Sequence, residues 1–85
     1  MQQSMKGRNI ISENLKVLVF SSNINTKIKV GRTRQELMKL DDVYRVDVDL
    51  GDRDKVLRIE CHPYCEVKLI ERKVTDLGFR SDRLM

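Results

Sequence analysis

The chain has one histidine, one proline, no tryptophan and four aromatic residues, two Tyr and two Phe, among 85. With a single histidine, no Gly-rich phosphate loop and no supported Ser/His/Asp or Cys/His/Asn grouping, the sequence is not read as an enzyme. No run of about 18 apolar residues exists, so no membrane-spanning helix is expected. The start, MQQSMKGRNIISENL, has no apolar segment of signal-peptide length, so a cytoplasmic protein is expected. The two cysteines then read as free thiols rather than a structural staple. There is no Gly/Arg tract or low-complexity repeat to point to nucleic acid.

Charged residues are 35% of the sequence and hydrophobic residues 40%, enough for one small domain with a modest core. The net charge of +4 is uneven. Residues 1–40 carry eight Lys/Arg against two Glu, residues 41–60 four against seven Asp/Glu, and residues 61–85 five against four. Such asymmetry steers charged partners as well as solvating a surface.

The stretch Val43 to Cys61 carries the clearest pattern. Val46, Val48 and Leu50 alternate with Asp47 and Asp49, the mark of a half-buried strand. Gly51-Asp52-Arg53-Asp54 interrupts with turn residues, and Val56 to Cys61 resumes the alternation. Together they predict an antiparallel hairpin, which needs further elements to cover its apolar face. Leu15 to Phe20 is apolar in both phases and reads as a central strand. A helix is expected from Asn25 or Thr26, with Val30, Thr33, Leu37 and Leu40 on one face. A second helix is expected over 64–77, opened by Pro63, striped by Val67, Ile70, Val74 and Leu77, and stopped by Gly78. Phe79 to Leu84 completes the set as an edge strand, and residues 1–13 are expected to form a flexible N-terminal tail ahead of a domain spanning 14–85.

This order is β-α-β-β-α-β, the split βαβ pattern of an α+β, ferredoxin-like sandwich. It implies a four-stranded antiparallel sheet in the order 4-1-3-2 with two helices on one face, the other face being open.

Leu37, Leu40 and Val43, the strand Val46-Val48-Leu50, and the run Ile70, Val74, Leu77, Gly78-Phe79 resemble the heavy-metal-associated (HMA) domain of small copper chaperones and copper-transporting ATPases. The resemblance covers roughly Leu15 to Leu84. That family binds soft metal through Met-Thr-Cys-x-x-Cys between its first strand and first helix. The aligned residues here are Ile24-Asn25-Thr26-Lys27-Ile28-Lys29, so Thr26 and Lys29 stand where the two cysteines would be. Cu(I) or Zn(II) needs those thiolates, so the resemblance implies the fold without metal at this loop. The pattern is also similar to a set of small bacterial proteins that share this degenerate domain.

Three readings follow, none of them catalytic. The first is a protein-interaction module, with Leu18 and Phe20 exposed as an apolar patch on the open sheet face and Lys27 and Lys29 as a basic contact at the vacated loop; its occupant is a protein partner or a second copy of the chain. The second is a relocated soft-metal site for Cu(I) or Zn(II), using Cys61, His62 and Cys65 at the opposite pole of the sheet. In that reading a reversible Cys61–Cys65 disulfide is a variant, and core packing of Cys61 in the phase of Leu57 and Ile59 the plainer alternative. The third is weak single-stranded nucleic-acid binding through Lys27, Lys29, Arg32 and Arg34, in a topology shared with RNA-binding domains whose central strands carry stacking aromatics. Phe20 is the one aromatic in the corresponding runs.

Overall fold

The computed structural model describes residues 15–85; the expected tail, residues 1–13, lies outside the described residues. The order of elements is β1 (Lys16–Ser22), α1 (Lys27–Leu37), β2 (Val43–Asp49), β3 (Val56–Cys61), α2 (Val67–Asp76) and β4 (Ser81–Arg83). The strands form one antiparallel sheet in the order β2-β3-β1-β4, with β1 and β3 in the centre as expected.

The pairing register decides which face of β1 is buried. Leu18 pairs with Ile59 and Phe20 with Leu57. Directly paired residues of neighbouring strands share a face of the sheet, and Leu57, Ile59 and Cys61 are the inward phase of β3, all fully buried. Leu18 and Phe20 are therefore core residues, both at 0% exposure, while Val17 is 39% exposed on the open face. This corrects the expectation that Leu18 and Phe20 form an outward patch. Alternation along β1 carries no information because both phases are apolar; the larger pair fills the space beneath the helices.

The helices cover that face with the expected stripes. Val30, Thr33 and Leu37 of α1 are buried, and Leu40 packs partly buried just beyond it. The buried Thr33 hydroxyl donates to the Lys29 carbonyl at 2.8 Å, so this polar side chain is not stranded in the core. From α2, Ile70 and Val74 are buried. Gly78 has φ +93°, which L side chains rarely adopt. Its N–H donates to the Thr75 carbonyl at 2.8 Å and the Phe79 N–H to the Val74 carbonyl at 3.1 Å, a Schellman closure.

Several boundaries differ from expectation: β1 runs on to Ser22 rather than ending at Phe20, and β4 is confined to Ser81–Arg83 within the expected Phe79 to Leu84. α1 ends at Leu37 rather than near Leu40, the chain leaving through a turn in which the Leu40 N–H donates to the Leu37 carbonyl. α2 begins at Val67, not at residue 64. Residues 62–65 instead make a turn, with the Cys65 N–H donating to the His62 carbonyl at 2.9 Å and the Tyr64 N–H to His62 Nδ1 at 3.1 Å. The turn serves to bury Cys65, at 3% exposure.

Candidate functional site

The loop between β1 and α1 is fixed from several sides. Ile24 is fully buried and anchors it in the core. The Ser22 N–H donates to the Asp54 carbonyl at 2.9 Å and the Ser22 hydroxyl to the Lys55 carbonyl at 2.6 Å, tying the β2–β3 loop to the same pole. Asn23 Oδ1 accepts from the Arg80 N–H at 2.7 Å, which brings in the segment before β4. Thr26 caps α1: it is extended, at φ −137° and ψ 157°, and its hydroxyl accepts from the Lys29 N–H at 3.1 Å.

Lys29 closes this loop. Its Nζ donates to Asn25 Oδ1 at 3.0 Å and lies 6.0 Å from the centroid of the Phe79 ring, within cation–π range. The loop thus holds a fixed cation of the chain's own. The donor set does not fit a soft metal. The Thr26 hydroxyl is committed to the helix cap, and a lysine ammonium offers hydrogens and positive charge but no lone pair. Beside it, Ile28 is 78% exposed between Lys27 and Lys29. Phe79 was not among the residues expected at the site, and Asn25 and Ile28 entered only as members of the aligned loop. The exposure of an isoleucine in the first turn of an amphipathic helix was the available signal, since Ile28 falls outside the Val30-Thr33-Leu37 stripe.

At the opposite pole, the register places Cys61 against Lys16, at the start of β1. Cys61 is fully buried and Cys65 nearly so. Both thiols are free. Burial pushes the Cys61 thiol up to about 12, reinforced by the neighbouring Cys65. Burial also raises Cys65. Lys16 Nζ donates to the carbonyls of Cys65, at 2.8 Å, and Pro63, at 3.3 Å. Burial likewise raises Tyr44, which feels Asp42 and both cysteines.

His62 does not join the thiols: its Nδ1 accepts from the Tyr64 backbone, and its ring packs on Tyr64 with centroids 5.2 Å apart. Among the described residues, no group of three or more His, Cys, Asp or Glu side chains is placed to hold a metal ion. The structure buries Cys61 and Cys65 of the expected trio in the core and leaves His62 half-exposed on the turn between them.

The open sheet face carries Val17, Val19, Asp47 and Arg58, the last three in register across the sheet. Asp47 is engaged by Arg45, at 2.7 Å, and by Arg34, at 3.7 Å. Arg34 also donates to the Val46 carbonyl at 3.1 Å, covering part of the β2 edge, so this basic residue is turned towards the sheet rather than towards a phosphate. With Phe20 buried under the helices, the described residues of β1 and β3 present no aromatic on the open face for base stacking.

No family model matches the chain, and no curated protein matches it in sequence. Solved structures match in fold. Oxidised MerP from Ralstonia metallidurans CH34 is 14% identical with a TM-score of 0.71, the match covering 84% of this chain and 99% of that one. The CsoZ metallochaperone is also 14% identical, with a TM-score of 0.68 and the same coverage. The copper(I)-loaded first domain of the human copper chaperone for SOD1 is 19% identical, with a TM-score of 0.66, covering 81% of this chain and 92% of that domain. The chain therefore has the ferredoxin-like fold of heavy-metal-associated domains, carried by a sequence in which Thr26 and Lys29 occupy the expected ligand positions.

Proposed function

We propose that the chain is a non-catalytic protein-interaction module of the cytoplasm that uses the HMA fold without metal at its β1–α1 loop. The observation that carries this reading is Lys29, whose ammonium bonds Asn25 and faces the Phe79 ring where the resemblance puts a metal-binding cysteine. A bound cation there is replaced by a covalent one, so the loop keeps a fixed shape and a positive charge without a cofactor.

The docking surface is the exposed Ile28 with Lys27 and Lys29 on either side. An apolar side chain flanked by two ammonium groups suits a partner that offers a shallow apolar pocket with an acidic rim. The charge at that end is not spent on the helix itself, because positive groups in the first turn oppose the macrodipole and gain nothing from it. Soft-metal binding at the Cys61–Cys65 pole is not favoured, since it would put charged thiolates where burial opposes them.

The test is affinity capture from the source cells with wild type and Lys27→Glu/Lys29→Glu, quantified by mass spectrometry. A partner retained by wild type, lost by the variant and then bound directly as purified protein supports the reading. An identical set of captured proteins from both baits overturns it.

A further inference from the structure

We propose that two copies of the chain close a twofold dimer, in which Ile28 of each copy, between Lys27 and Lys29, enters the groove of the other at Asp49, Asp52 and Val56. The inference rests on the Ile28 surface of the proposed function and names what that surface meets.

The groove lies on the open sheet face, where β2 and β3 run into their connecting loop. Its volume is about 330 Å³, and it is lined by Asp47, Val48, Asp49, Asp52, Val56 and Arg58. The register sets Asp49 against Val56 and Asp47 against Arg58, so these four residues share the face away from the helices. Val56 is half-buried and gives the groove an apolar floor. Asp47 is taken up by Arg45 and Arg34, but among the described residues no cation pairs with Asp49 or Asp52. Each of these two spends Oδ1 on a backbone N–H of its own loop, Asp49 on Gly51 at 3.0 Å and Asp52 on Asp54 at 2.7 Å. Those bonds hold the carboxylates at the rim, and a carboxylate so engaged keeps acceptor capacity for an ammonium. The nearby Lys55 does not neutralise them, because its Nζ donates to the carbonyls of Leu50 and Asp52.

The Ile28 surface has the opposite make-up. Ile28 is 78% exposed, and among the described residues neither Lys27 nor Lys29 pairs with a carboxylate. An apolar knob between two cations therefore meets an apolar floor rimmed by two carboxylates, and the unpaired charges of each surface are of the sign that the other lacks.

Both surfaces flank one pole of the molecule. The Ser22 N–H and hydroxyl bind the carbonyls of Asp54 and Lys55 at the end of the groove, at 2.9 and 2.6 Å, and the Ile24 N–H binds Ser22 Oγ at 3.2 Å on the way to α1. Knob and groove thus sit on the helix side and the open-sheet side of the same end. A twofold axis at that end lets the contact be made twice and closes the assembly, whereas a knob and groove at opposite ends would chain copies into a filament. One isoleucine and two lysines from each copy make a contact at the small end of the range, below about 1,200 Å². The dimer is therefore weak, with a dissociation constant between about 10 µM and about 1 mM.

The full chain, with its thiols kept reduced, is followed by sedimentation equilibrium and amide NMR from about 10 µM to about 1 mM. Wild type is expected to approach twice the monomer mass and no more, with dilution shifting the resonances of Lys27, Ile28 and Lys29 and those of Asp49, Asp52 and Val56 together. Lys27→Glu/Lys29→Glu and Asp49→Lys/Asp52→Lys each set like charges against one another and are expected to weaken association at least about tenfold. Mixed in equal amounts the two variants are expected to recover it, since the two reversed surfaces then face each other and the two native ones do likewise. A wild type still monomeric at about 1 mM overturns the proposal. So does a mass beyond two copies, a set of dilution shifts lying elsewhere, or a mixture no better associated than its folded components. The wild-type measurements decide the question even where a variant does not fold. A monomeric wild type, with a captured protein still lost on Lys27→Glu/Lys29→Glu, removes the dimer and leaves the proposed function standing. A dimer mapped to both surfaces, with identical captured proteins from both baits, does the reverse.

Discussion

Lys29 and Asn25 are joined across the first turn of α1, ammonium to amide oxygen at 3.0 Å, with the Phe79 ring 6.0 Å from the same nitrogen. The relation makes the loop self-sufficient. A metal-binding loop has two ligand side chains converging on an ion; here one position caps the helix and the other supplies the cation.

Placing two cysteines in the loop should create a metal site. The variant Thr26→Cys/Lys29→Cys, made together with Cys61→Ser and Cys65→Ser to remove other thiols, is expected to take up one Cu(I) in competition with a chromophoric chelator. The control carrying only the two serine replacements should take up none. The gain is expected because the buried Ile24, the bond its N–H gives to Ser22 Oγ and the bond Asn23 Oδ1 accepts from the Arg80 N–H already hold the loop backbone.

The face of β1 is open to a stability test. Phe20→Ala removes a fully buried ring and is expected to cost about 3–5 kcal/mol in denaturant unfolding. Val17→Ala, on the open face, should cost less than about 1 kcal/mol. Equal costs would contradict the register of Leu18 with Ile59.

The same strand shows what was legible in the residues and what was not. The hairpin alternation, the two helix stripes and Gly78 each have one reading, and together they yield the strand order and the pole to which Cys61 belongs. β1 has two apolar phases, and only pairing with β3 distinguishes them, which is a tertiary fact. The start of α2 was misplaced for a related reason. Pro63 suits a first helical position, but the turn over 62–65 buries Cys65 and delays the helix to Val67. At the site, the absence of cysteine from the β1–α1 loop was plain in the sequence. The Lys29–Asn25 bond, the exposure of Ile28 and the bond of His62 to the Tyr64 N–H depend on side-chain directions that spacing alone does not determine.

Stability should fall at alkaline pH through the buried thiol. The folded Cys61 thiol is raised from its ordinary value of 9.0 to about 12, so above pH 9 the unfolded chain releases a proton that the folded chain keeps. The stabilisation is complete below pH 9 and is lost progressively as pH rises towards 12, with a slope of at most about 1.4 kcal/mol per pH unit for this thiol. Cys65 shifts in the same direction. Unfolding curves of wild type and Cys61→Ala between pH 8 and pH 11 measure it, with a shallower decline expected for the variant; parallel curves would contradict the assignment.

Thr26 is expected to matter to folding as a cap rather than to binding as a ligand. Thr26→Ala should cost about 1 kcal/mol through loss of the bond to the Lys29 N–H. Thr26→Ser should restore most of it. An Ala variant as stable as wild type would show that the cap contributes nothing.

Whether the β1–α1 loop works without metal decides the proposed function. The most direct measurement is a Cu(I) titration of isotope-labelled, reduced protein followed by backbone amide NMR. The resonances of residues 24–30 are expected not to move through one equivalent. Saturable shifts at Thr26, Lys27 and Lys29, complete at one equivalent, would contradict it.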